Sequence, residues 1–127
     1  MYKYFNENPR GSNVDDCTIR ALATAMDKSW DEAYLELAIE GYIIKDLPNA
    51  NKVWCAVLEH NGFDKRNLPC DRLGCYTVRE FADDHKEGTY VLGDGRHAIA
   101  CRDGDYYDTF DSGDRTVLFY FEKGNDK

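Results

Sequence analysis

Long apolar runs are missing from this sequence of 127 residues, and no stretch approaches the length that a bilayer-spanning helix requires. Residues 1–11 are polar and rich in tyrosine, without the basic start and the apolar core of a secretory signal. A membrane-spanning protein and an exported protein are both disfavoured. We therefore expect a cytoplasmic protein.

Positive charge is also scarce. Lys and Arg total 16 against 24 for Asp and Glu, which gives a formal net charge of −8 at pH 7. A surface of this sign repels the phosphates of nucleic acids and anionic membranes, so we expect direct binding to neither. The same charge favours a protein or peptide substrate of basic character.

Cysteine is present in an odd number, which argues against a framework of disulfides. Five cysteines without an export signal indicate free thiols in a reducing compartment. Cys70 and Cys75, taken with Cys55 and Cys101, lack the close Cys-x-x-Cys spacing of structural zinc sites. The glycine-containing segment 93–95 lacks the lysine and the following helix of a phosphate-binding loop. We expect neither a metal nor another cofactor.

Four helices are predicted in the first two thirds of the chain, where apolar residues recur at helical spacing. Their predicted starts are Cys17 after the cap Asp16, Trp30 after the cap Ser29, Asn51, and Val78 after the cap Thr77. The segment 64–76 is interpreted as a connecting loop, with room for one short strand at its end.

From Thr89 onward the pattern changes to short β-type runs that glycine and aspartate separate. Helices that precede strands along a chain of this length predict one α+β domain over residues 1–127. We expect the helices to pack on one face of a small, C-terminal antiparallel sheet.

Cys17 is the first candidate for chemistry because it is predicted in the first turn of a helix. Unpaired backbone N–H groups and the positive end of the helix dipole stabilise a thiolate at such a position. A buried cysteine that only packs is the alternative. Asp15 and Asp16 oppose thiolate formation, so Cys17 needs a positively charged partner.

Among the three histidines, His97 is the candidate for that partner. It opens the run HAIACR directly after a glycine-flanked turn, where a side chain at a sheet edge can face a cleft. His60 and His85 fall near predicted helix ends, where a surface position or a contact with the helix dipole accounts for them.

A histidine that acts as a base needs a third group to fix its tautomer. If residues 103–104 form a two-residue hairpin turn, alternation places Asp108 on the same face as His97 and one diagonal away. A longer turn would shift the register and favour Asp111, although Asp111 also suits a turn. We prefer Asp108 and keep Asp111 as the alternative.

Acyl-transfer sites also need hydrogen-bond donors for the oxyanion of the tetrahedral intermediate. The backbone N–H of a nucleophile at a helix start supplies one donor. The side-chain amide of Asn13, four residues before Cys17, is the candidate for the second. A role of Asn13 in shaping the loop before the helix fits the sequence equally well.

The segments NVDDCTIR (13–20) and GRHAIACRDGDYYDTFDSG (95–113) resemble those of small papain-like cysteine peptidases, specifically the compact C39-like proteins of bacteria and their phages. In that family an N-terminal helix carries the nucleophilic cysteine, and the sheet that follows carries histidine and then Asp or Asn. The resemblance implies a papain-like fold in which Cys17 is the nucleophile, His97 the general base and Asp108 the orienting acid.

The resemblance also implies an activity and a setting: a cysteine peptidase or isopeptidase that cleaves an amide bond through a thioester, in the cytoplasm of a bacterial cell and encoded by the bacterium or a phage. Members of this family usually carry Gln some six positions before the cysteine as an oxyanion donor. This sequence has Gly11 there, which leaves Asn13 as the substitute.

Two other functions fit the same residues. A non-catalytic acidic binding or inhibitor protein on the papain-like scaffold would occupy a basic site on a host protein, which the net charge and the acidic runs at 83–84 and 103–114 favour. An acyl transferase would use the same triad, because an amine resolves a thioester as readily as water does.

Overall fold

The computed structural model describes residues 1–12, 14–68 and 76–124. Within these ranges the order of elements is β1 (Tyr2–Tyr4), α1 (Cys17–Met26), α2 (Trp30–Ile44), α3 (Asn51–His60), β2 (Phe63–Asn67), α4 (Val78–Asp84), β3 (Thr89–Gly93), β4 (Ala98–Arg102), β5 (Asp105–Asp108) and β6 (Phe119–Lys123). The α+β class predicted from the sequence is confirmed. No helix in these ranges is long and apolar enough to cross a membrane.

The six strands form one sheet in the order β1-β5-β4-β3-β6-β2. β1 pairs parallel with β5, so the sheet is mixed and the expectation of a purely antiparallel sheet is wrong. It is also not purely C-terminal, since β1 and β2 both precede α4. β2 occupies residues that the sequence predicted as a loop. The strand was not predicted because only Phe63 of its residues is buried, and an edge strand of this kind shows no apolar alternation.

The β4-β5 hairpin has the register predicted from the sequence. Arg102 pairs with Asp105, which leaves Asp103 and Gly104 as a two-residue turn. Both turn residues have positive φ, 51° and 87°, as a type I′ turn requires. The register fixes which residues near the far end of the hairpin lie side by side.

Helices cover both faces of the sheet, contrary to the expectation that they share one. Val91 and Ala100 pack in a buried cluster with α1, α2 and α3. The alternate residues Leu92 and Ile99 pack in a second cluster with α4. Residues that alternate along a strand point to opposite faces, so α4 lies on the face opposite the other three helices. Helical periodicity identifies a buried stripe but does not say which face of the sheet it covers.

Capping explains where α2 and α4 begin. Ser29 and Thr77 each form a capping box with the glutamate three residues later, Glu32 and Glu80. Asp16 occupies the N-cap position of α1, but its carboxylate makes no cap hydrogen bond. That carboxylate has other partners, which belong to the site described next.

Candidate active site

Three of the residues singled out from the sequence meet where the start of α1 approaches the ends of β4 and β5. Cys17 is the first residue of α1 and is 8% exposed. His97 directly precedes β4, and Asp108 is the last residue of β5. His97 Nε2 lies 2.6 Å from Asp108 Oδ2, and both side chains are almost completely buried.

The two-residue turn contributes to this meeting. Ala100 pairs with Tyr107, so His97 and Asp108 lie just beyond the paired residues, at the same end of the sheet. Alternation along β5 alone would place Asp108 on the face of Tyr106, opposite α1, so its contacts with Arg20 and His97 also depend on how the chain leaves β5. Since Asp108 engages Nε2 of the imidazole, Nδ1 is the ring nitrogen left for Cys17. The structure thus brings Asp108 to His97 in the geometry that orients an imidazole toward a nucleophile.

The Cys17 thiol has a pKa below its ordinary value. Burial alone raises the pKa of this thiol, but hydrogen bonds from the His97 side chain and the Ala98 backbone N–H, together with the charge of His97, lower it by more. The two other described cysteines differ. Burial raises the pKa of Cys55 to about 11 and that of Cys101 to about 12. Cys17 is therefore the one described thiol with an activated environment.

The imidazole shows the complementary change. Burial lowers the pKa of His97, but the hydrogen bond and charge of Asp108, with a further hydrogen bond to Cys17, raise it to about 9. Burial likewise raises the pKa of Asp108, and its bonds to His97 and Arg20 lower it overall. A lowered thiol pKa beside a raised imidazole pKa favours a thiolate-imidazolium pair at neutral pH.

The alternative third member, Asp111, does not reach His97. Its carboxylate accepts hydrogen bonds from the Tyr106 hydroxyl at 2.6 Å and the Gly113 backbone at 3.0 Å, and it pairs with Arg79 at 3.5 Å. These contacts hold Asp111 in the turn after β5, as the turn interpretation expects.

The candidates for the oxyanion donor have different outcomes. Asn13 lies outside the described residues. Gly11, which stands where C39-like peptidases carry Gln, adopts a left-handed backbone with φ of 64° and has no side chain to donate. No described side chain caps α1, so the N–H groups of its first turn, Cys17 included, remain free to face a ligand.

A cleft of about 290 Å³ opens beside Cys17 and His97. One wall comes from α3, where Trp54 Nε1 donates to Asn51 Oδ1 at 3.0 Å and Asn51 Nδ2 donates to the Gly95 carbonyl at 3.1 Å. These bonds tie α3 to the turn before His97. This wall could not be located from the sequence, because it depends on how α3 packs over a turn some 40 residues away.

Trp54 and Phe110 lie beside the site, whereas Tyr106 does not. Trp54 lines the cleft while stacking on Phe119 at 5.6 Å. Phe110 is 44% exposed and packs against the His97 ring at 5.3 Å, where it shields one face of the imidazole from water. Tyr106 is buried in the cluster on the opposite face of the sheet.

An ion pair that was not predicted from the sequence lies directly behind Cys17, His97 and Asp108. Arg20 Nη1 donates to Asp108 Oδ1 at 3.0 Å, and Arg20 Nε donates to Asp16 Oδ1 at 2.8 Å. Asp16 Oδ2 accepts from Trp30 Nε1 at 2.9 Å. The carboxylate of Asp16 is thus paired with a cation, which offsets its effect on the Cys17 thiolate. A buried arginine on the apolar face of α1, four residues after an aspartate, was the signal available in the sequence.

Within the described residues, no group of three His, Cys, Asp or Glu side chains is arranged to hold a metal ion. Cys70 and Cys75, the close pair considered for zinc, lie outside the described residues. Cys55 and Cys101 belong to clusters on opposite faces of the sheet, so they cannot share one ion.

Comparison of the chain with protein-family models, curated proteins and solved structures found no match. The class of protein is therefore defined by its geometry: an α+β domain that holds a buried Cys-His-Asp constellation beside an open cleft.

Glu7 lies near the buried charges of Arg20, Asp16 and Asp108, and its titration makes the stability of the protein depend on pH. Burial raises the pKa of Glu7 to about 7. The Thr24 hydroxyl donates to Oε2, while Oε1 has no hydrogen-bond partner among the described residues. Because this folded pKa lies above the ordinary value of 4.5, the stability that the protonated form contributes is lost as pH rises from about 4.5 through 7.

Glu7→Gln mimics the protonated acid and is expected to remove that loss. Relative to the wild type, the free energy of unfolding of the variant rises by about 1 to 2 kcal/mol between pH 5 and pH 8. This is less than the full pKa shift would give, because Glu7 is only partly buried. Urea unfolding at both pH values measures this. Glu36→Gln is the matched control, since Glu36 pairs with Lys28 at 2.5 Å and its loss destabilises at both pH values. If the free energies of unfolding of Glu7→Gln and the wild type differ by the same amount at both pH values, Glu7 does not titrate as a buried carboxyl group.

Proposed function

We propose that this protein is a cysteine peptidase or isopeptidase of papain-like architecture that cleaves amide bonds through a thioester. The observation that carries the proposal is a buried thiol of lowered pKa at a helix start, beside an imidazole that an aspartate holds at 2.6 Å. The N-terminal helix, the following sheet and the chain order Cys17, His97, Asp108 support the same architecture.

Acylation uses each group in its observed position. The Cys17 thiolate attacks the carbonyl carbon, and the carbonyl π electrons move to oxygen. First-turn N–H groups of α1 stabilise that oxyanion. The His97 imidazolium gives its proton to the departing amine as the C–N bond breaks. A thioester on Cys17 and a free amine result.

Deacylation reverses the proton movement. His97, now neutral, takes a proton from water as the water oxygen bonds to the thioester carbon. The C–S bond then breaks, which releases a carboxylic acid and restores the thiolate beside the imidazolium. An amine in place of water gives a transferase by the same steps. Asp108 keeps Nε2 occupied throughout, so that Nδ1 stays directed at the reacting atoms.

The substrate proposed is a protein or peptide segment, which an open cleft beside the thiol accommodates. The net charge of −8 favours a basic segment and disfavours nucleic acid. Asp15 lines the cleft and supplies a negative charge at its mouth, although Arg96 also lines it.

The competing proposal of an acidic binding protein receives less support from the fold. Several acids of the run 103–114 have partners within the chain. Asp105 pairs with the N-terminal amine at 3.4 Å, Asp108 with Arg20 at 3.0 Å, and Asp111 with Arg79 at 3.5 Å, while Asp114 also pairs with Arg79. A segment whose carboxylates are paired in this way presents less negative charge to a basic partner.

Limited alkylation tests the nucleophile. Iodoacetamide below stoichiometry, followed by site-resolved mass spectrometry across pH 5 to 9, is expected to label Cys17 at least tenfold faster than Cys55 or Cys101 at pH 7. The latter two serve as internal controls, since their pKa values are raised to about 11 and about 12. Equal rates at the three thiols overturn the assignment.

Cleavage is tested with a library of peptides and lysine-branched isopeptides, incubated with wild type and with Cys17→Ala. New amine termini that appear with wild type alone support the proposal. Products carrying an added amine, in place of hydrolysis, indicate the transferase. An activated Cys17 that produces neither in any peptide overturns the proposed activity.

A further inference from the structure

We propose that Arg20 and Asp16 are positioning residues of this site: a charge-compensated pair that holds the Asp108 carboxylate against His97 and ties the nucleophile's helix to the strand that carries the acid. The inference rests on the proposed function, because it assigns a role within that site. None of the roles proposed above for Cys17, His97 and Asp108 requires the pair, so it can fail while they stand.

The contacts of Asp108 leave its carboxylate one orientation. Oδ2 lies 2.6 Å from His97 Nε2. Oδ1 accepts from Arg20 Nη1 at 3.0 Å and from the Thr109 backbone N–H at 2.8 Å. A carboxylate with donors on both oxygens cannot rotate away from the imidazole without breaking a buried hydrogen bond.

Arg20 also links two elements. It lies on α1 three residues after Cys17, while its guanidinium reaches the last residue of β5. The planar fork of donors serves Asp16 through Nε and Asp108 through Nη1 at the same time. The spacing between the thiol and the imidazole therefore depends on a rigid side chain from the nucleophile's own helix.

Charge compensation is the second element of the proposal. An arginine alone beside Asp108 would cancel the negative charge that stabilises the imidazolium. Asp16 Oδ1 neutralises Arg20 at 2.8 Å. The other carboxylate oxygen, Asp16 Oδ2, accepts from Trp30 Nε1 at 2.9 Å and from Asn8 Nδ2 at 3.4 Å. The pair therefore orients Asp108 through hydrogen bonds without adding net charge. The cost of removing two charges from water offsets most of their attraction, so a buried ion pair contributes little net stability. A role in geometry is therefore favoured for this pair.

The charged and titratable groups around the imidazole come from every element that packs there. Cys17 from α1 and Asp108 from β5 act directly on the imidazole, and Asp94, paired with Arg115, accepts from the His97 backbone N–H. Arg20 of α1 and the N-cap residue Asp16 lie behind Asp108, where Glu7 faces the same charges. Asp15 and Arg96 line the cleft together with His97. Asp16 and Arg20 carry opposite charges at neighbouring positions, so replacing each one singly has opposite electrostatic consequences.

Matched neutral variants use this opposition. Asp16→Asn removes a negative charge and lowers the pKa of both His97 and Cys17, so the pH window of the thiolate-imidazolium pair shifts down by about 0.5 to 1 unit. Arg20→Gln removes a positive charge and shifts the window up by about as much. In the double variant the charges cancel again, and the window returns to within about 0.3 unit of wild type. Alkylation rates against pH measure the window, and NMR titration of His97 measures its upper limit.

Arg20→Lys tests the geometry separately. It keeps the charge but loses the fork, so the window is expected to stay in place while the alkylation rate at its centre falls about three- to tenfold. Thermal unfolding identifies any variant that fails to fold, and Arg20→Lys then replaces Arg20→Gln as the informative one.

The outcomes separate the two proposals. A wild type without an activated Cys17 overturns the proposed function, and NMR of His97 still reports whether the single variants shift its pKa in opposite directions. An activated wild type whose window neither Asp16→Asn nor Arg20→Gln moves overturns the positioning role alone. Shifts of the same sign in both single variants overturn the charge compensation that the proposal assigns to the pair.

Discussion

His97→Ala is expected to slow alkylation of Cys17 at pH 6 by about a hundredfold or more, and much less at pH 9. The thiolate of the wild type is stabilised by the His97 side chain, whose pKa is about 9, so the pair persists below that pH. Without the imidazole, burial dominates and the Cys17 pKa rises to or above the ordinary thiol value of about 8.5. A thiol of that pKa is only about 0.3% ionised at pH 6.

The measurement is the second-order rate of iodoacetamide labelling at Cys17 from pH 5 to 9. His60→Ala is the matched control, because His60 is an exposed histidine at the end of α3 that pairs with Glu40 at 3.2 Å. The control should reproduce the wild-type profile. A His97→Ala profile that coincides with wild type means that Cys17 is an ordinary buried thiol, and the proposed mechanism is lost.

Local sequence rules were sufficient for the part of the site that one hairpin builds. A two-residue turn at Asp103 and Gly104 fixes the strand register, which brings His97 and Asp108 to the same end of the sheet. Helix start signals placed Cys17 at the first position of α1 in the same way. Each of these inferences depends on residues that are close in sequence, where turn and capping chemistry dominates.

Features set by tertiary packing were not predictable in the same way. The polar strand β2 pairs with β6 although its own residues, Phe63 apart, show no burial pattern. The face chosen by α4 depends on the second buried cluster. Arg20 acquires its role only when Asp108, 88 residues later, comes within 3.0 Å. A buried arginine in an apolar stripe signals that such a partner exists, but not which residue it is.

Asp108→Asn is expected to impair the site nearly as much as Asp108→Ala, with turnover reduced by about 10² to 10⁴. Both oxygens of Asp108 accept, one from Arg20 Nη1 and Thr109 N–H, the other from His97 Nε2. An asparagine amide has only one acceptor atom, so its NH₂ group must face either the guanidinium or the imidazolium, and both are donors. This site therefore requires a carboxylate, whereas asparagine occupies the third position in papain-like proteases.

NMR titration gives a readout that needs no substrate: in Asp108→Asn and Asp108→Ala the His97 pKa should fall from about 9 to near or below its ordinary value of 6.5. Arg20→Gln combined with Asp108→Asn supplies the sharpest control, because the Gln carbonyl accepts from the Asn NH₂ group and frees the Asn oxygen for His97. Partial recovery of Cys17 alkylation in that double variant, relative to Asp108→Asn alone, identifies the clash of donors as the cause. If Asp108→Asn instead behaves like wild type, Asp108 acts only by its shape, and its charge is not what holds the imidazolium against Cys17.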